Sequence, residues 1–263
     1  VSLAFAAVLF VLGVVGAFVS GLVGVGGAIV MIPLLLYGPP LLGVGALDIK
    51  TVAAITMVQV FVAAVSGMIA HGRHRAVNRR LALVGGSAMA AGSLIGAVAS
   101  KAVPDRWLLV VFAAMVTVSF VLMLLPEPPP DVTAPAEVKE YSAPLTAATA
   151  GLVGLAAGLV GAGGAFLLVP LLLVVVGVPI RVTIGSSLAI TAVSATAGVL
   201  GKAVTGQIPV LSALLVSAGA LPGAQLGAAA SRRLSGVALK RALLVVIVLT
   251  GVKVWWSVLF TGR

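Results

Sequence analysis

GLVGVGGAIVMIP occupies Gly21–Pro33, and GLVGAGGAFLLVP occupies Gly158–Pro170. Two near-copies of a glycine cluster, each followed by an apolar run and a proline, decide how the chain is read. Glycine costs a helix interior about 1 kcal/mol relative to alanine, and proline about 3. Both copies nevertheless sit in strongly apolar surroundings, where a broken backbone leaves donors and acceptors without water. A break repeated in the same form is tolerable where it lines a protein-protected cavity.

Composition defines those surroundings. The chain has 263 residues, 61% hydrophobic and 8% charged, with a mean hydropathy of +1.29. Soluble domains carry about 25% charged residues, so the deficit marks an integral membrane protein. Apolar runs of about 20 residues recur, long enough to cross about 30 Å of hydrocarbon. The alternation over about 10 residues typical of barrel strands is missing. The expected fold class is therefore an all-α integral membrane protein, since a helix satisfies its own backbone in lipid. The absence of cysteine excludes disulfides and cysteine metal sites. No metal or other cofactor is expected. The formal charge of +10 reads as topology signal and headgroup contact, not as a nucleic-acid surface. The apolar run from Val1 has no basic n-region or small-residue cleavage site, so it is expected to be a span, with the absent Met reflecting a trimmed start.

The duplication organises the rest. Gly24, Gly26, Gly27 and Pro33 recur 137 residues on, at Gly161, Gly163, Gly164 and Pro170. Further along the offset is 131: Ile49-Lys50 matches Ile180-Arg181, Gly67 matches Gly198, and Gly92, Gly96 and Ser100 match Gly223, Gly227 and Ser231. Each half shows five apolar segments, about 2–23, 28–37, 51–70, 81–100 and 107–125, then 144–160, 165–176, 182–201, 209–230 and 238–258. The second of each set is short, about 15–18 Å as a helix and so about half a bilayer. The expected organisation is a first transmembrane repeat (1–125), a proline-rich acidic cytoplasmic linker (126–143) and a second repeat (144–263), with short or re-entrant half-helices at Gly24–Tyr37 and Gly161–Val176.

Basic residues orient the halves. The densest basic loops are His71–Arg80, between segments three and four of the first half, and Arg232–Arg241, between segments four and five of the second. If both are cytoplasmic, as the positive-inside rule predicts, the halves are inverted relative to each other. An odd number of crossings per half meets that condition. The inside then holds 10 basic residues and the outside 5, with Lys253 uncounted. Inverted repeats with interrupted helices are a transporter signature.

Several stretches carry a family resemblance. GAGGAFLLVPLLL (Gly161–Leu173), VPIRVTIGSSLAIT (Val178–Thr191), Gly198 and PGAQLGAAAS (Pro222–Ser231), with first-half copies GVGGAIVMIPLLL (Gly24–Leu36) and ITMVQVFVAAVSG (Ile55–Gly67), resemble the sulfite exporter TauE/SafE family, also called the 4-toluene sulfonate uptake permeases. The resemblance runs over nearly the whole chain, in order, in both halves. It implies a transporter of small sulfur-containing anions such as sulfite, sulfonates (sulfoacetate among them) or thiosulfate, in the membrane of a bacterial cell, the inner membrane. The chain departs from the family pattern at Ala28 and Ala165, which stand where a third glycine often does. ITMVQ (Ile55–Gln59) also differs from its counterpart GSSLA (Gly185–Ala189), so the two sides of the expected site are chemically unequal.

Elementary physics reaches the same chemistry. A helix beginning near Gly27 or Ala28 exposes its first backbone N–H groups, with about half a positive charge at that end. Such an end binds an anion without a cationic side chain, and glycine lets the ligand close on the backbone. Inversion would aim both short helices at one midplane site. The expected substrate-binding residues are Gly26, Gly27, Ala28, Gly163, Gly164 and Ala165, completed by Thr56, Gln59, Ser186 and Ser187. Thr191, Ser194 and Thr196 are assigned to packing. Lys50 and Arg181, with His71 and Lys202 at the other helix ends, are entrance or gating candidates. Pro33 and Pro170 each free the carbonyl four residues earlier, Ile29 or Phe166. The six acidic residues lie outside the middles of the apolar segments, so no carboxylate proton relay is visible, and an inside-negative potential would favour export by about 2.3 kcal/mol per 100 mV for a monoanion. An anion channel with the same site, and a cation-coupled uptake carrier, are the competing readings. An intramembrane enzyme is not supported, because paired carboxylates and metal clusters are missing. The expected partners are the lipid bilayer and the small anion. A homodimer is compatible with the sequence, which does not fix the oligomeric state.

Overall fold

The computed structural model describes residues 2–23, 27–71, 78–125, 141–178, 180–231 and 236–260. All secondary structure among them is helical: α1 Leu3–Val23, α2 Ala28–Leu41, α3 Ile49–His71, α4 Arg79–Ala99, α5 Asp105–Leu124, α6 Ala143–Val160, α7 Ala165–Val174, α8 Ile180–Val204, α9 Val210–Ser231 and α10 Gly236–Phe260. α1, α4, α5, α6, α9 and the Ser186–Val204 part of α8 are long and apolar enough to cross a membrane. The chain is an all-α, multi-pass integral membrane protein. Gly24–Gly26, residues 72–77 of the His71–Arg80 loop, residues 232–235 of the Arg232–Arg241 loop, and the Pro126–Glu140 stretch lie outside the described residues.

The ten helices match the ten apolar segments to within four residues at each end. The largest difference is at α2, which runs past Tyr37 and through Pro39-Pro40 to Leu41. Proline keeps a helical φ, and its cost is a missing N–H, so two prolines in a last turn need not stop the helix there. α7 remains short, at 10 residues.

Glycine seams set the arrangement. A methyl group placed on Gly92 or Gly96 of α4 would lie 2.2 Å from Gly151 O or 2.1 Å from Leu155 O of α6. One placed on Gly223 or Gly227 of α9 would lie 2.2 Å from Val14 O or 2.1 Å from Phe18 O of α1. No side chain fits in such spaces, so the backbones touch, the geometry small residues permit in membranes. The register rises together along both seams, so α4 runs parallel to α6 and α9 parallel to α1. α3 and α8 lie inside this frame: α3 is buried throughout Val52–Met57, and its Met57 abuts Gly198 of α8.

The two short helices, α2 and α7, are each tied to a neighbour at the carbonyl their proline frees. The carbonyl that Pro170 frees, Phe166 O, accepts a hydrogen bond from Ser119 Oγ of α5 at 3.0 Å. The carbonyl that Pro33 frees, Ile29 O, accepts one from Thr250 Oγ1 of α10 at 3.3 Å. A buried orphan carbonyl costs about 1–3 kcal/mol, and a hydroxyl from the neighbouring helix removes that cost in both places. An edge-to-face contact of Phe112 with Phe166, centroids 6.5 Å apart, reinforces the α5–α7 tie. A Tyr37–Ser257 hydrogen bond of 2.7 Å reinforces α2–α10.

Candidate functional site

The two helix breaks meet on one turn of α3. Gly27 precedes α2 with φ 43°, and Gly164 precedes α7 in the left-handed region with φ 74°; only glycine takes such a backbone at low cost. Gly27 O accepts the N–H groups of Val30 and Met31, and Gly164 O those of Leu167 and Leu168. The N–H groups of Ala28, Ile29, Ala165 and Phe166 therefore have no carbonyl within their own helix to bond, the usual condition of a helix start. On α3, the Gln59 amide faces Gly27: a methyl there would lie 3.1 Å from both its nitrogen and its oxygen. The next residue, Val60, faces Gly163, where a methyl would lie 2.3 Å from Cγ1. Consecutive residues of α3 thus touch the two breaks.

Gln59 is fully buried, and neither amide atom has a hydrogen-bond partner among the described residues. Such an amide is costly in an apolar interior, and it lies beside a helix N-terminus. The other side-chain candidates behave differently. Thr56 Oγ1 donates to Val52 O of its own helix, as membrane hydroxyls commonly do. Ser186 Oγ accepts the N–H of Asn78, at the start of α4, at 3.2 Å. Ser187 is buried and also engaged. Gly27 N–H, one of the expected anion donors, is given to Ser20 Oγ. Gly26 lies outside the described residues, as do the side chains of His71 and Arg181.

Five buried hydroxyls lack a partner among the described residues, Ser93 of α4 and Thr191 and Ser194 of α8 among them. A methyl on Gly198 would lie 2.7 Å from Ser93 Oγ and 2.6 Å from Met57 Cε. Thr191, Ser194 and Gly198 share a face of α8 by their helical spacing. Sequence reasoning assigned Thr191 and Ser194 to packing and passed over Ser93. A hydroxyl in a membrane helix gives no sign of where it bonds until its neighbours are known. Ser119 and Thr250 were also missed, although a signal existed: they are 131 residues apart, the offset that relates the halves.

The entrance candidates Lys50 and Lys202 share one end of the bundle. Lys50 Nζ donates to Lys101 O at 3.0 Å. Lys202 Nζ donates to Ser100 Oγ at 2.9 Å. Among the described residues no group of three His, Cys, Asp or Glu could hold a metal ion.

The comparisons with known proteins agree with this architecture. The profile of the family described as "Sulfite exporter TauE/SafE" matches residues 9–254. A "Probable membrane transporter protein YunE" from Bacillus subtilis (strain 168) is 28% identical over 270 residues, covering 97% of this chain and 98% of that protein. A "Probable membrane transporter protein" from Xylella fastidiosa (strain 9a5c) is 33% identical over 181 residues, covering 67% of this chain and 65% of its own length. No solved structure matches. With ten helices, six of them apolar enough to span, and a profile match over nearly its full length, the chain belongs to the sulfite exporter TauE/SafE family of membrane transporters, which are not enzymes.

Proposed function

We propose that this transporter carries a small sulfur-containing oxyanion, such as sulfite, a sulfonate of the sulfoacetate type or thiosulfate. The anion sits at the membrane midplane between the N-terminal ends of α2 and α7. The observation that carries the reading is the buried, partnerless Gln59 amide against the Gly27 end of α2, with the next residue, Val60, against the break before α7. A pyramidal or tetrahedral oxyanion takes several donors at once. Two helix starts and one amide NH2 supply them without a full positive charge that would trap the ion. Ser93, Thr191 and Ser194 extend the polar lining. Thr56 gives its O–H to its own helix and Ser187 is engaged, whereas Ser186 accepts from Asn78 and keeps its own O–H.

The halves, 1–125 and 144–263 with the 126–143 linker between them, are inverted copies in this reading. The two glycine seams support it: their contact residues exchange under the same offsets of 137 and 131 that relate the sequences. The His71–Arg80 and Arg232–Arg241 loops then share the cytoplasmic side. Movement is facilitated and driven by the membrane potential, which favours export by about 2.3 kcal/mol per 100 mV for a monoanion.

A binding screen on purified protein tests the site, with sulfite, thiosulfate, sulfoacetate, taurine and aromatic sulfonates against sulfate and acetate. Sulfur oxyanions are expected to bind, and Gln59→Leu and Gly27→Val to weaken them while the protein still inserts. Unchanged affinity in both variants removes the helix-end site. Proteoliposome flux that ignores an imposed potential but follows a proton gradient removes the potential-driven mechanism.

A further inference from the structure

Lys202 is fully buried, yet none of the described carboxylates pairs with it. A buried ammonium is expensive unless paired and hydrogen-bonded. The carboxylates at this end of the bundle are Asp48 and Asp105. Asp48 Oδ2 accepts Thr51 N–H at the start of α3. Asp105 Oδ1 lies 3.7 Å from Lys50 Nζ, in a pair that is 32% exposed on the lysine side and 52% on the aspartate side. What Lys202 has instead is neutral: Ser100 Oγ at 2.9 Å and Gln207 Oε1 at 3.5 Å.

Three lysines and two carboxylates meet at this end. Lys101 Nζ donates to Thr205 O at 3.2 Å, so Lys50, Lys101 and Lys202 gather on the ends of α4 and α8. Each helix C-terminus contributes about half a negative charge. Lys50 is set against Asp105, and the other carboxylate at this end, Asp48, is held by Thr51 N–H. Neither pairs with the buried Lys202 ammonium, whose partners are neutral oxygens. The two acceptors differ in how closely they hold the ammonium. Gln207 Nε2 is fixed by Ala97 O at 3.0 Å and Thr205 Oγ1 at 2.6 Å. Its Oε1 also accepts from Ser100 Oγ at 3.0 Å and is the longer of the two contacts to Lys202.

We infer that Lys202, with Ser100, Gln207 and Lys50, forms a second anion site where α3 begins and α4 and α8 end, taking a small oxyanion that displaces Gln207 Oε1 from the ammonium. The identity of that anion as the transported one rests on the proposed function; the existence of the site does not. The site holds the anion at the end of the bundle where α3 begins. The bond the anion replaces lies within α8 and its following turn, and the Ser100–Lys202 bond between α4 and α8 is kept.

Calorimetric titration of sulfite, with sulfate as a second probe, into purified wild type and variants tests this site, alongside proteoliposome uptake. Wild type is expected to show two sulfite binding events. Lys202→Met should lose one and raise the sulfite concentration for half-maximal uptake by about ten- to hundredfold, the value of a hydrogen bond to a charged group. Lys202→Arg should keep both events. Gln59→Leu should lose the other event, so the two sites fail separately. Wild-type titrations and half-saturation in Lys202→Met overturn the inference, whatever Gln59→Leu does. A Lys202→Met protein that changes only the pH dependence of uptake, with sulfite affinity intact, also overturns it. If Lys202→Met does not fold, Ser100→Ala and Lys50→Gln take its place. Each should weaken the same event about threefold, as expected where neighbouring donors and charges remain, and unchanged binding in both is a refutation.

Discussion

The ends of α2 and α7 begin with the same motif and are lined differently. At α2, the N–H of Gly27 meets Ser20 Oγ, and the Gln59 amide lies over its α-carbon. At α7, Gly163 faces Val60, and Gly164 faces Met89, Val153 and Ala157. The backbone component of the proposed site occurs in duplicate, whereas its amide occurs once. A site built this way need not treat its two directions of approach alike, even if the helices are related by a two-fold axis. Gln59 has Ile190 at the equivalent position, so the amide belongs to α3 alone.

The largest effect expected from this contrast is on stability. Gly163→Ala would drive a methyl to 2.3 Å from Val60 Cγ1 at a residue with φ 61°. Val60 is short and branched and cannot withdraw, so left-handed strain and overpacking together should cost about 3 kcal/mol. At Gly27, with φ 43°, the added methyl meets only the far end of Gln59 at 3.1 Å. Gly27→Ala should cost about 1 kcal/mol and impair anion binding more than stability. Unfolding of the purified proteins in a denaturing detergent series reads both. Equal losses would break the contrast between a dry and a polar end.

Gln59→Leu sharpens it in the opposite sense. Removing a buried amide without partners should raise stability by about 1–2 kcal/mol, while anion uptake falls about tenfold. A variant that loses stability and keeps uptake would show the amide to be satisfied and structural. Stability gained at the expense of activity is the usual mark of a functional polar group held in an apolar place.

Much of this was legible in the sequence, for identifiable reasons. The ten segments were visible because lipid enforces long apolar runs and glycine clusters interrupt them at fixed offsets. The freed carbonyls of Ile29 and Phe166 followed from proline chemistry alone. Their acceptance of Thr250 and Ser119 did not, because it depends on α10 packing against α2 and α5 against α7. Gln59 stood out because an amide is rare in a membrane helix. Ser93 could not, since serine is common there and its isolation depends on Gly198 and Met57 beside it. Lys202 was legible as an end-of-helix cation, whereas its burial without a carboxylate depends on how α4 and α8 terminate together.

The hydroxyl ties test whether the two half-helices are held equally. Ser119→Ala and Thr250→Val each leave a proline-freed carbonyl without its donor and should cost about 1 kcal/mol. The loss should be greater at Ser119, whose bond is 3.0 Å against 3.3 Å for Thr250. Pro170→Ala restores an N–H for Phe166 O and should remove most of the Ser119→Ala penalty in the double variant. Independent, additive losses in that pair would mean the hydroxyl serves something other than the carbonyl.

The smallest effect concerns the start of α3, the helix that touches both breaks. Asp48 precedes it and accepts Thr51 N–H at 3.1 Å, while the position 131 residues on is Pro179, which has no such side chain. Partial burial pushes the Asp48 carboxyl up, but the hydrogen bonds from Thr51 and the neighbouring backbone outweigh it and leave its pKa below the ordinary aspartate value. A lowered folded-state pKa contributes stability that is present above the unfolded value, near 4, and is lost as pH falls through the folded one. The carboxylate is largely exposed, so the effect is discounted for screening. Asp48→Ala should cost about 0.5 kcal/mol at neutral pH. The gap to wild type should stay constant down to about pH 5 and close below about pH 4. Asp48→Asn keeps the cap without the charge, so its own stability should lack that acid dependence. A gap that persists unchanged at pH 3 would assign the contribution of Asp48 to packing, and α3 would then be positioned between the two helix ends by its buried face alone.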